Sequence, residues 1–148
     1  MRYNLRTLLL GLTLLLVGLG WKADHVHRQR RAVAAIEAKQ GAVEFCPPAS
    51  GLALPRWLGR DVACEVEAAY LGGTAIADDD LACLNGLPRL RVLVLTSTAV
   101  SDAGLRHLHD LRCLETIDLR FTAVSDAGVT ALRQALPAAQ VLSHSDID

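Results

Sequence analysis

Aromatic residues are scarce in this chain: two Trp, two Tyr and two Phe make up 4% of 148 positions, and there is a single Met. Hydrophobic residues reach 51%, so any core must be built from Leu, Val and Ala. No sign of charge dominates. The formal net charge is −1, which argues against a broad polyanion-binding surface and hence against nucleic acid as a partner. No CxxC pair occurs among the cysteines at 46, 64, 83 and 113, so a zinc knuckle or a thioredoxin-type redox site has no support. Their even number permits disulfides in an oxidising compartment without showing them. GxSxG, P-loop and GxGxxG motifs are all missing, which removes the best-marked routes to hydrolase and nucleotide chemistry.

The remaining polar clusters are weak candidates. ADDD at 77–80 lacks the spacing and glycine of a calcium loop and reads as acid residues at a helix start. His25-x-His27 and His107-x-His109 would point their rings to different sides of a helix, with no third ligand. SHSDID at 143–148 holds Ser, His and Asp but reads as a polar tail, because triads are assembled by a fold rather than by adjacency. No catalytic residue, metal ligand or cofactor is expected.

Long apolar runs are limited to one. After a basic flank (1–6, with Arg2 and Arg6) comes an uncharged stretch from Thr7 to Trp21. Fifteen residues are short for a bilayer span of about 20. Arg6 and Lys22 can snorkel, however, and Tyr3 and Trp21 stand where interfacial aromatics belong. The favoured reading is an uncleaved transmembrane signal-anchor at 7–21 in contact with the lipid bilayer. A cleaved signal peptide, giving a secreted protein, is the rival, with Gly18-Leu19-Gly20 as a poor cleavage site. Lys22, Arg28, Arg30 and Arg31 follow the run and lean the C-terminal domain toward the cytoplasm by positive-inside counting. Residues 22–41 read as a juxtamembrane helix, with Val33 and Ile36 on one face and Gly41 as its stop. Its basic start either sets topology or touches anionic head groups. AVEF (42–45) reads as a short strand and 42–62 as an N-terminal cap, broken by three prolines, with PRWLGR (55–60) as one helical turn that buries Trp57 and Leu58.

What the chain has in abundance is repetition. TAVSDAG occurs at Thr98–Gly104 and again at Thr122–Gly128, 24 residues on. The frame extends over 63–86, 87–110 and 111–135, with a partial copy at 136–142. Leu87, Leu90, Leu93, Leu95 and Thr98 align with Leu111, Leu114, Ile117, Leu119 and Thr122, and the first copy is degenerate. The rule LxxLxxLxLxxTxVSDxGLxxL resembles leucine-rich repeat proteins, with Thr where Asn or Cys usually stands. The likeness covers about 80 residues. The anchor and basic flank look similar to small bacterial single-pass membrane proteins of that family.

The resemblance implies an α/β solenoid, a short leucine-rich repeat stack. Short parallel strands would line a concave face and short helices a convex one, preceded by an N-terminal transmembrane helix. Thr98 and Thr122 are expected to bond the backbone at the bend, and Ser101 and Ser125 to cap helices, with Asp102 and Asp126 in the first turn. Gly104 and Gly128 either let neighbouring coils approach or mark a tight turn. Function is expected as protein–protein interaction through the concave face, at Glu67, Tyr70, Val94, Thr96, Asp118, Arg120 and Phe121, where the copies differ. A non-binding scaffold, the remnant of a larger array, is the alternative.

Overall fold

The computed structural model describes residues 5–46 and 65–144, and before Asp24 only Thr13, Leu16, Val17 and Gly20 are described at side-chain level. PRWLGR, Cys64 and the tail from Ser145 lie outside the described residues.

One helix, α1 (Leu5–Ala38), runs through the apolar stretch and the basic segment without a break. At its end Ile36 accepts from the Gly41 amide at 3.0 Å. The left-handed residue that turns the chain is Gln40 (φ 65°), not the Gly41 expected as the stop. Gly41 is needed for space instead: a Cβ there would stand 2.5 Å from Leu71 Cδ2 and 2.8 Å from Ile36 Cγ2. Among the described residues no helix is long and apolar enough to cross a membrane, and most side chains of Thr7–Trp21 are outside that set.

Five strands form one sheet in sequential order. They are β1 (Ala42–Phe45), β2 (Val66–Tyr70), β3 (Val92–Val94), β4 (Thr116–Asp118) and β5 (Gln140–Leu142). β1 lies antiparallel to β2, and the other three pairings are parallel. The register follows the sequence frame: Ala69, Leu93, Ile117 and Val141 stand side by side. All four are buried, as are Leu71, Leu95 and Leu119 two residues further along their own chain segments. Strand alternation puts these residues on one face, and stacking turns them into a continuous aliphatic column that no single coil can bury alone.

Helical segments return the chain between parallel strands. The first is a 3-10 helix, Asp78–Gly86. The second is one α turn, α2 (Asp102–Leu105), continued by 3-10 residues Arg106–Leu108. The third is a full α-helix, α3 (Asp126–Ala135). This progression explains the extra residue before the partial fourth copy. Leu87 and Leu111 each donate to the carbonyl three residues back (Leu84, Leu108), whereas Leu136 donates four back, to Leu132. An α turn holds more residues than a 3-10 turn, so the added residue is absorbed without moving the next buried leucine.

The bend after each strand is built alike. Thr74, Thr98 and Thr122 hydroxyls donate to the carbonyls of Leu71, Leu95 and Leu119 at 2.6, 2.7 and 2.7 Å. Ser101 Oγ accepts from Ala103 N, and Ser125 Oγ from Gly128 N, as N-caps. The aspartates do more than suit a helix dipole. Asp78 accepts from the amide and hydroxyl of Ser101 at 2.7 and 2.6 Å, and Asp102 does the same for Ser125 at 2.8 and 2.6 Å. Each therefore ties its coil to the next. The glycines complete the joint: a Cβ on Gly104 would meet Asp78 Oδ1 at 2.5 Å, and one on Gly128 would overlap the Asp102 carboxylate. Close approach of coils is thus the reason for glycine here.

At the N-terminal end the second half of α1 covers the stack, burying Ala32 and Ile36 against the first coil. Among the described residues α1 and β1 stand at this end of the sheet; the rest of the expected 42–62 cap, from Pro47 on, lies outside them.

Candidate functional site

The helices lie on the side of the sheet where the leucines point. On the opposite face Tyr70 is exposed and Ala68 and Asp118 are buried, and no described helix is placed over it. Across it the register aligns Ala42, Tyr70, Val94, Asp118 and Leu142 in one row, and Glu44, Ala68, Val92, Thr116 and Gln140 in the next. Thr96 and Arg120 stand one step beyond, 24 residues apart like the rows beside them. All the residues singled out from the sequence fall on or beside this face.

Their environments differ. Tyr70 is exposed, and its hydroxyl donates to Glu44 Oε2 at 3.2 Å. That bond, reinforced by the Glu44 charge, raises the phenol above its ordinary pKa. Val94 and Thr96 are half-buried. Asp118 departs from the expectation of an open position: it is only 7% exposed. The Arg120 guanidinium folds over it, with Nη2 at 2.6 Å from Oδ2 and Nε at 2.9 Å from Oδ1. These bonds hold its carboxyl below the usual aspartate range. Arg120 is therefore the solvent-facing half of this pair, and Asp118 orients it.

Glu67 belongs to a ladder that the sequence showed only as flanking charges. Arg91 bonds Glu67 on the preceding coil and binds Glu115 on the following one, through Nε and Nη2 at 2.8 Å each. The three residues recur at the repeat interval, so parallel pairing brings them into line. The Arg91 bond lowers the Glu67 pKa, assisted by Cys46, and the two glutamates raise that of Arg91. Glu67, Glu115, Asp118 and Glu44 against Arg91 and Arg120 leave this face net negative.

Phe121 carries the least expected geometry. It is 60% exposed, its φ is +58°, and its ring packs on His144 with centroids 5.5 Å apart. The equivalent positions in the preceding coils are Gly73 (φ 70°) and Ser97 (φ 58°). The bend thus demands a left-handed residue, which glycine supplies at no steric cost and a bulky side chain supplies only under strain. Chain composition alone gave no hint of that φ; the alignment of Phe121 under Gly73 did.

Two acids of the ADDD run have structural partners. Asp78 links coils, and Asp80 accepts from the Ala77 amide and from Lys39 Nζ at 3.0 and 3.1 Å. No group of three metal-ligating side chains occurs among the described residues. Cys83 is half-buried and Cys113 exposed, both as thiols.

The coil-linking carboxylates make the fold acid-sensitive. Serine hydrogen bonds hold Asp78 and Asp102 below their ordinary pKa of 3.8. A carboxylate depressed in the folded state stabilises it above the unfolded pKa. That contribution is lost as pH falls from 3.8 through the depressed value. Thermal melts at successively lower pH should therefore show Tm dropping in that window. An Asp78→Asn, Asp102→Asn variant should start lower and drop less; an equal drop would place the sensitivity elsewhere.

A scan against protein-family models finds no match, and a search of curated proteins finds none.

Proposed function

We propose that this chain is a leucine-rich repeat solenoid, held at a membrane by the first half of α1, and that the uncovered sheet face binds a protein partner. The strand register at the 24-residue interval and the aliphatic column support the solenoid reading. The apolar run and the exposure of Leu16 and Val17 (58% and 70%) support the tether. The arginines after the run lean the repeats toward the cytoplasmic side.

The observation that carries binding is Phe121. The bend demands left-handed backbone at this position but not a bulky side chain: an exposed aromatic there carries a strain of about 1–3 kcal/mol and leaves apolar surface in water. A residue kept on those terms is suited to fill a partner's pocket. Tyr70 and Arg120 stand on the same face and are the residue types most enriched among interface anchors. No reaction is assigned to the site.

The test is a quantitative pull-down with the full chain in detergent, comparing wild type with Tyr70→Ala/Phe121→Ala and with Phe121→Asn. Asn tolerates left-handed backbone, so this variant should melt at or above the wild-type temperature. Loss of one anchor worth about 2 kcal/mol weakens a partner roughly thirtyfold. A captured set unchanged by both variants would remove the sheet face as the site. Protease protection of sealed vesicles tests the tether and its sidedness separately.

A further inference from the structure

We propose that the cleft between α1 and the 3-10 helix Asp78–Gly86 binds the phosphate of an anionic lipid head group through Arg28 and Arg31. This rests on the tether reading and adds to it a lipid class and the residues that meet it.

The cleft has a volume of about 290 Å3 and is lined by Arg28, Arg31, Ala32, Cys83, Asn85 and Gly86. Its floor is set by backbone rather than by movable side chains. A Cβ on Gly86 would stand 2.8 Å from the Arg28 carbonyl oxygen and 3.2 Å from Ala32 Cβ, so the 3-10 helix rests directly on α1. Arg28 and Arg31 are three residues apart and so share a helix face. Among the described residues Arg28 is paired with Asp24, one turn back, and both side chains are more than half exposed. Such a surface pair is weak and readily exchanged. Arg31 is exposed and has no ion pair among the described residues. Two guanidinium groups beside a side-chain amide form a donor set that suits phosphate oxygens, which arginine recognises in a bidentate manner.

Position along α1 selects a lipid as the source of that phosphate. Side chains of a helix tilt toward its N-terminus, here toward the apolar run. Trp21 ends the run seven residues before Arg28, about 10 Å along the axis. The head-group layer is about 5–8 Å deep on each side of a bilayer, and an arginine stem reaches back across the difference. Lys22, Arg28, Arg30 and Arg31 against Asp24 give the segment an excess of positive charge, the composition that seats on anionic leaflets. A shallow cleft of two arginines holds a free anion weakly. The tether raises the effective concentration of head groups at its mouth.

Cys83 reports on occupancy because it lines the cleft. Burial, with the nearby Asp80 charge, pushes its thiol pKa up, so its slow alkylation follows access. The full chain is reconstituted in vesicles of phosphatidylcholine alone and of phosphatidylcholine with phosphatidylglycerol. N-ethylmaleimide alkylation of Cys83 is followed by peptide mass spectrometry, with exposed Cys113 as the internal reference. Two arginines favour an anionic surface by about thirtyfold together. Cys83 is expected to slow severalfold relative to Cys113 only in the anionic vesicles, and Arg28→Gln/Arg31→Gln should restore the rate. Equal rates in both vesicles, or slowing that persists in the double variant, would overturn the head-group site. Equal protection of detergent-held protein by glycerol phosphate would reassign the cleft to soluble phosphates. Alkaline carbonate treatment of the same vesicles separates the two readings. A chain released by carbonate overturns the tether, and the head-group site with it. A chain retained without protection of Cys83 overturns the head-group site alone.

Discussion

Replacing Ile117 by alanine is expected to cost the fold about 2–5 kcal/mol, the largest effect of any single truncation in the sheet. Ile117 is completely buried at the middle of the column, with Leu93 on one side and Val141 on the other. Stability in a stack of repeats is a sum of coil and nearest-neighbour terms, and a small domain has only about 5–15 kcal/mol in total. Ile117 serves two interfaces at once. Val141, at the last strand, serves one, and Val→Ala removes less volume, so Val141→Ala should cost clearly less. Urea titration of the full chain in detergent, followed by circular dichroism, checks this. With a slope of about 1.5 kcal/mol per M, Ile117→Ala should lower the midpoint by roughly 2 M without changing the slope. A shift below about 0.5 M would mean that the polar links between coils, rather than the leucine column, hold the stack.

The column is also what the sequence shows most plainly, and the reason is its locality. Leucine spacing within a coil is set by strand alternation, so Leu93 and Leu95 or Ile117 and Leu119 can be placed inside from a single coil. Threonine at the bend and serine at the helix start act on backbone groups two or three residues away, and their roles are equally legible. What escapes is everything that joins residues of different coils. Asp78 to Ser101 and Asp102 to Ser125 are 23 residues apart. They become neighbours only once the strand register is fixed, so within one coil each aspartate looks like an ordinary first-turn acid. The Glu67–Arg91–Glu115 ladder hides for the same reason, although its alternating charge at the repeat interval was on view. Alternation places Asp118 on the face opposite the leucines, yet Arg120 folds back over it, a side-chain choice that alternation cannot give. At the N-terminus, the continuity of α1 into the cap depends on how Ala32, Ile36 and Gly86 fit together, which no periodicity encodes.

The joint between coils makes a prediction that a helix-propensity argument would get backwards. Gly128 lies inside α3, where alanine is ordinarily favoured by up to about 1 kcal/mol. Here Gly128→Ala is expected to destabilise, because the new methyl would stand 2.6 Å from Asp102 Cγ. The carboxylate must then swing away from Ser125 and give up both of its bonds. Asp102→Ala alone should also lower the melting temperature, because both hydrogen bonds to Ser125 are lost. Together the two changes should not add. With the carboxylate gone, the three atoms nearest the added methyl are gone too, and the helix gains its alanine. The double variant should match or exceed Asp102→Ala, a clear departure from additivity in a double-mutant cycle. The preceding joint is tighter. A methyl on Gly104 would still face Leu81 Cδ1 at 3.0 Å and Asp78 Cα at 3.1 Å after the Asp78 carboxylate is removed. Gly104→Ala should therefore remain destabilising in an Asp78→Ala background. Melts of the six variants read out both cycles. Additive losses at Gly128 would mean that the glycine serves α3 itself rather than the coil before it, and equal rescue at both joints would mean that only the carboxylate sets the distance between coils.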